Sequence, residues 1–364
     1  MRYLEAFRNP KAAAALRARI HDRARALPAG RKRVAIMEVC GSHTMAVSRY
    51  GIRQILPEQV ELISGPGCPV CVTPPGYVDA AIELARSGII IVTFGDMLNV
   101  PGSAQSLAQC RAAGGRIEIC YSPTAALELA AGQPDREVVF LAIGFETTIA
   151  PVVSLVPEAT RRGIDNLSLL TAFKLVPPAL SALLADADVA VDAFLCPAHV
   201  SAIIGANAYR PYAEKGVPCV IAGFEPLDIL LGLDGVLEQV LAGQATVDNQ
   251  YSRVVRPDGN PKAQALIGRY LVPVDATWRG MGTIPASGMA LRGEFARHDA
   301  QKRFDIVVGP GTESPGCLCG DVIKGKRRPM ECAMFGSACT PEHPVGPCMV
   351  SSEGSCSAAY KYER

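Results

Sequence analysis

Eight short apolar runs, at residues 34–39, 60–63, 89–94, 116–120, 138–143, 167–170, 190–195 and 218–222, recur along the 364-residue chain. They are rich in Val, Ile and Leu and are too short for a helix, so each reads as a strand buried on both faces. Between them lie helical stretches of about 10–15 residues, several opened by proline, as at Thr73-Pro74-Pro75, Ser122-Pro123, Val176-Pro177-Pro178 and Glu225-Pro226. Strands joined this way form parallel sheets with right-handed crossovers. The fold class is α/β.

The runs read as two rounds of one design. Run 34–39 ends in Cys40-Gly41-Ser42-His43-Thr44, and run 138–143 ends in Gly144-Phe145-Glu146-Thr147-Thr148. Each is followed by three further strands. The pattern predicts two tandem parallel-sheet α/β domains of similar topology, at residues 31–135 and 136–248. Residues 1–30 read as an amphipathic helix with Leu4, Phe7, Leu16 and Ile20 on one face, packing on the C-terminal domain. A further strand is expected at 305–308. Loops after strand C-termini gather at one edge of a parallel sheet, where ligands bind. That edge would carry Cys40–Thr44 and the loop 64–74 in the first domain. In the second it would carry 145–148, with Glu146, then 196–200, with His199, and 223–226. Function is expected where the two edges face each other.

Thirty-six basic and 35 acidic side chains leave a net charge of +1, which argues against an electrostatic nucleic-acid binder. No apolar stretch reaches the ~20 residues of a membrane-spanning helix. The 13 cysteines are an odd number and no signal-peptide pattern precedes them, so the reading is a cytoplasmic protein in reducing surroundings whose thiols do metal or redox chemistry.

Six cysteines crowd into a Gly- and Pro-rich C-terminal stretch, within a third domain placed at 249–364. Such a stretch cannot build a large core and calls for a metal or cross-link. Cys317, Cys332, Cys339 and Cys356 form C-x14-C-x6-C-x16-C. Four thiolates suit zinc or an iron–sulfur cluster. The lack of paired knuckles favours a [4Fe–4S] cluster, and Cys319 and Cys348 leave the quartet ambiguous. Cys68-Pro69-Val70-Cys71 is a C-x-x-C in a Gly/Pro loop, spaced for a reversible disulfide, with a helix start near Pro74 favouring thiolate. Cys40, with His43 three residues on, has the chemistry of an iron ligand or an activated nucleophile. Cys110, Cys120, Cys196 and Cys219 read as buried packing.

Taken together, these motifs resemble the HypD family of hydrogenase maturation factors. The resemblance rests on Cys40-Gly41-Ser42-His43-Thr44, the loop 65–74, Phe94-Gly95-Asp96-Met97, the stretch 144–148, Pro197-Ala198-His199-Val200-Ser201, Gly223-Phe224-Glu225-Pro226 and Pro347-Cys348-Met349-Val350-Ser351-Ser352-Glu353-Gly354. It implies a scaffold that, with a HypC-type small chaperone and a HypE-type cyanide donor, holds iron while the Fe(CN)2CO unit of [NiFe]-hydrogenase is assembled. Cys40 would then bind that iron, with His43 beside it. Cys68 and Cys71 would be the redox pair, and Cys317, Cys332, Cys339 and Cys356 the [4Fe–4S] ligands. Met45 stands where the family often has a second histidine. The residues alone leave two other readings open: an iron–sulfur disulfide oxidoreductase, and a zinc-stapled interaction protein.

Overall fold

The computed structural model describes residues 5–364, so Leu4 of the expected N-terminal face lies outside the described residues. Eleven strands among them form two sheets. The first has the order β2-β1-β7-β8-β9, from β1 (Val34–Glu38), β2 (Val60–Ser64), β7 (Ala193–Pro197), β8 (Cys219–Ala222) and β9 (Val247–Asn249), all parallel. The second has the order β10-β11-β6-β5-β3-β4. Its parallel part is β3 (Ile90–Phe94), β4 (Ile117–Cys120), β5 (Val138–Gly144) and β6 (Leu167–Lys174). The hairpin β10 (Leu271–Trp278) and β11 (Gly282–Leu291) joins β6 antiparallel.

The eight apolar runs are all strands, and the α/β class with parallel sheets holds. Their partition differs from the tandem one expected. β3 and β4, placed in the domain 31–135, pair with β5 and β6. β1 and β2 pair with β7 and β8, which lie beyond residue 190. The two units do share a topology: 2-1-7-8 and 4-3-5-6 are the same order once strands are renumbered within each unit. The second unit is inserted between the second and third strands of the first. A strand such as β1, buried along its whole length, carries no alternation that names its partner, so neighbours in sequence were the default.

Three apolar cores follow from this layout. One lies between the sheets and takes the helices Pro75–Arg86 and Val176–Ala185 with residues from both. A second covers the outer face of the first sheet, under the helix Pro226–Ala242. The third covers the outer face of the second sheet. The N-terminal helix Pro10–Arg25 does bury Leu16 and Ile20, but it packs on Pro226–Ala242 and not on the C-terminal segment. Arg19 and Arg23 fix it there by pairing with the buried Asp234.

The expected strand at 305–308 is absent, because Asp305 turns to φ 50° and Val307 is left 85% exposed. The short strand β9 and the β10–β11 hairpin are the unforeseen strands. The hairpin's exposed pattern and the prolines Pro273 and Pro285 hide it from a reading based on apolar runs.

Candidate metal and redox centre

In each unit the chain order reverses direction at its first strand, and ligands of open α/β sheets bind in the crevice at such a switch point. In the first sheet that crevice lies between β1 and β7. Cys40 follows β1 as the N-cap of the helix Gly41–Arg49, and His199 follows β7. The loop after β2 crosses directly over Cys40. Gly67 lies so close that a Cβ there would stand 2.3 Å from the Cys40 nitrogen, and the Gly41 nitrogen donates to the Gly67 carbonyl at 2.9 Å. Only glycine fits this crossing, which sets the C-x-x-C loop on Cys40.

Cys40 is buried, and its thiol is pushed up to about 12 by burial first and the nearby Glu353 charge second. The backbone N–H groups of His43 and Ser42 oppose that rise by donating to the sulfur. His43 is not turned to the thiol. Its Nε2 meets the carbonyls of Ala222 (3.1 Å) and Gly223 (2.9 Å), and its ring packs tilted against Phe224 with centroids 4.7 Å apart, with the His199 ring at 4.1 Å from the same phenyl. Burial lowers His43 to about 4, so it is neutral at physiological pH, and its Nδ1 is buried without a partner.

Cys68 and Cys71 lie together: the Cys71 nitrogen donates to Cys68 Sγ at 3.2 Å. Their acidities split. Burial, then the bond and charge of Cys71, raise Cys68 well above the ordinary thiol value. Burial also opposes ionisation of Cys71, but hydrogen bonds from Cys348 and Cys68 and the charge of Arg279 outweigh it and bring Cys71 down to about 5. Arg279 is set there by the hairpin of the second sheet: its nitrogen donates to Val72 O (2.8 Å) and its Nε to Thr73 O (2.9 Å). The loop from the first sheet and an arginine from the second thus meet at the thiolate.

The tail closes the assembly. Cys317, Cys319, Cys332, Cys339, Cys348 and Cys356 all line one cavity, with Met334, Phe335 and Met349 among its apolar walls. Among the described residues, no three His, Cys, Asp or Glu side chains are grouped to hold a single metal ion. Burial raises Cys317 to about 12, with the charges of Cys319, Cys332 and Cys356 adding to it. Cys348 is the link that the sequence reading missed. Its thiol is within hydrogen-bond reach of Cys319, Cys356 and Cys71. It therefore joins the tail cavity to the C-x-x-C pair, and the only hint in the sequence was its position outside the quartet. Cys110, Cys120, Cys196 and Cys219 are buried as expected, with Cys196 and Cys219 in mutual contact across β7 and β8.

With this geometry in place, comparison with known proteins decides the family. A HypD family profile, described as "Hydrogenase formation hypA family", matches residues 11–363. This chain belongs to the HypD family. It is 46% identical to hydrogenase maturation factor HypD of Azotobacter vinelandii, an alignment spanning 100% of this chain and 97% of that one. The corresponding factor of Cupriavidus necator is 44% identical over 100% and 98% of the two chains. That of Escherichia coli K12 is 42% identical over 100% and 99%. No helix among the described residues is long and apolar enough to cross a membrane.

Proposed function

We propose that the protein is a cytoplasmic hydrogenase maturation scaffold. It holds iron at Cys40 while cyanide and carbon monoxide are attached, and Cys68 and Cys71 supply the electrons. The partners are a HypC-type chaperone and a HypE-type cyanide donor. The observation that carries this reading is the continuous run of thiols from Cys68 through Cys71 and Cys348 to Cys319 and Cys356, beside a separate buried cysteine at a sheet switch point.

The tail residues fit a [4Fe–4S] cluster. A cubane takes one thiolate at each of its irons, so its ligands surround a space, whereas zinc draws four onto one atom. Six thiols with apolar walls around one cavity match the first arrangement. Cys317, Cys332, Cys339 and Cys356, all lining that cavity, would hold it. Such a cluster would supply single electrons at low potential.

The protein's own groups do the rest. Arg279 and the Cys348 thiol hold Cys71 as thiolate, the form that exchanges with disulfides. On giving up two electrons and two protons Cys68 and Cys71 would close a disulfide. Exchange with Cys348 at the Cys71 sulfur would pass the disulfide on to Cys71 and Cys348 and free Cys68, with the two electrons that restore the dithiols coming from the cluster one at a time. Cys68 and Cys71 are 4% and 1% exposed. That burial suits an internal relay and speaks against a free-standing oxidoreductase acting on protein disulfides.

Infrared and Mössbauer spectroscopy of anaerobic protein, co-produced with its partners, tests the reading. The wild type is expected to show CN and CO stretches together with cluster iron. Cys40→Ala should lose the stretches and keep the cluster, and Cys332→Ser should lose the brown absorbance near ~400 nm. Diatomic stretches persisting in Cys40→Ala would overturn the iron assignment.

A further inference from the structure

Glu353 lies in the tail turn just before the helix Ser355–Tyr362, and none of the roles above involves it. It sits against the first residue after Cys40. A Cβ at position 41 would stand 2.5 Å from Glu353 Cβ, 2.8 Å from its carbonyl oxygen and 3.1 Å from Oε2. Gly41 is therefore the opening that admits a carboxylate from the tail to the Cys40 helix start.

The side chain is held in place. Ser42 Oγ donates to Oε1 at 2.6 Å, and the Glu353 nitrogen donates to Ser351 Oγ at 3.3 Å. Ser351 Oγ in turn donates to Asp96 at 3.2 Å. Oε2 has no hydrogen-bond partner among the described residues, so at the start of the Cys40 helix one oxygen of the carboxylate is anchored by Ser42 and the other is free to take a ligand.

We propose that Glu353 is a second iron ligand of the Cys40 site, its Oε2 binding ferrous iron next to the Cys40 sulfur. The inference rests on the iron role proposed for Cys40. Ferrous iron arrives as a water complex that accepts hard oxygen donors, while thiolate suits it once cyanide and carbon monoxide are bound. A carboxylate paired with a thiolate serves the first stage, and release of the oxygen frees positions for the second. On loading, the S–H bond of Cys40 breaks, an S–Fe bond forms, and the proton leaves to water. His43 does not fill this place through Nε2, which is engaged by the carbonyls of Ala222 and Gly223. The two-ligand set leaves room for donors from a partner.

The test uses the full-length protein with its natural-abundance cluster, under anaerobic conditions, titrated with isotopically enriched ferrous ion alone, so that Mössbauer spectra report only the added iron. Glu353→Gln keeps the shape and the Ser42 hydrogen bond. It is expected to weaken ferrous binding by at least about tenfold and to change the quadrupole splitting of the added iron. Glu353→Asp should fall between the two. Unchanged affinity and spectrum in Glu353→Gln would overturn the proposal. Cluster absorbance serves as the folding check, and if the Gln variant loses it, the Asp variant decides by the same two readouts. Cys40→Ala separates the two levels: if it too binds iron as the wild type does, the reading of Cys40 fails. If only Glu353→Gln is silent, the ligand role of Glu353 alone fails.

Discussion

Cys348→Ala raises the pH midpoint for alkylation of Cys71 by about 1–2 units and slows the reaction at pH 6 by up to about tenfold. The size follows from the loss of one hydrogen bond to a charged group, about 1.5–3 kcal/mol, at 1.36 kcal/mol for each pKa unit. Cys71 starts from about 5, and the Cys348 thiol is the first of the groups that lower it. Cys348→Ser keeps a donor and should hold the midpoint low, although its hydroxyl cannot exchange with a disulfide. Rates are read by mass spectrometry of the peptide carrying Cys71 after brief iodoacetamide treatment at several pH values. An alanine variant with the wild-type midpoint would mean that Cys348 does not support the thiolate, and the internal relay would lose its central member.

The second large effect concerns Glu146, at the start of the helix Glu146–Val153 after β5. It is 3% exposed, its Oε1 accepts from the Val176 nitrogen at 2.9 Å, and its Oε2 is buried without a partner. Burial raises its carboxyl from 4.5 to about 7 against the pull of two backbone hydrogen bonds. Below pH 4.5 both the folded and unfolded chains hold this proton, and it does not affect stability. As pH rises toward 7 the unfolded chain releases the proton first, and folding loses up to about 3 kcal/mol by the time the folded group also ionises. Glu146→Gln keeps the acceptor for Val176 and cannot ionise. Its stability relative to the wild type should therefore improve by about 3 kcal/mol between pH 4 and pH 8. Urea denaturation under reductant at both pH values measures this, and a difference independent of pH would show that Glu146 ionises normally.

How much of this was legible in the sequence depends on the kind of signal. Eight of the nine strands in parallel pairing were visible because each is a compact apolar run, whereas β9, with Asp248 and Asn249 in its three residues, was not; the motifs after the eight fell at the strand ends that the runs predicted. Cys40, Cys68 and Cys71 come together because Gly67 crosses Cys40, a contact carried by a glycine's missing side chain and so unreadable in advance. The side of Cys40 that His43 faces was likewise hidden, since the carbonyls of Ala222 and Gly223 that hold its ring are supplied from far along the chain. The docking of the N-terminal helix turned on Asp234, a buried acid of the helix Pro226–Ala242 whose partners lie more than 200 residues away in the chain. Sequence spacing picked out a tail quartet but not the bridging role of Cys348, which depends on how the tail folds back onto the loop carrying Cys71.

The insertion of one unit inside the other also fixes an order of events on the ribosome. β1 emerges early, but its neighbour β7 begins at residue 193, after all four parallel strands of the inserted unit. The nascent chain therefore carries Cys40, Cys68 and Cys71 with their sheet half built for as long as the inserted unit is being made. Their cover from residues 347–356 is made only after the strands of both sheets. A protein that keeps its sulfur chemistry enclosed when finished must pass through a long period in which that chemistry is open to the surroundings.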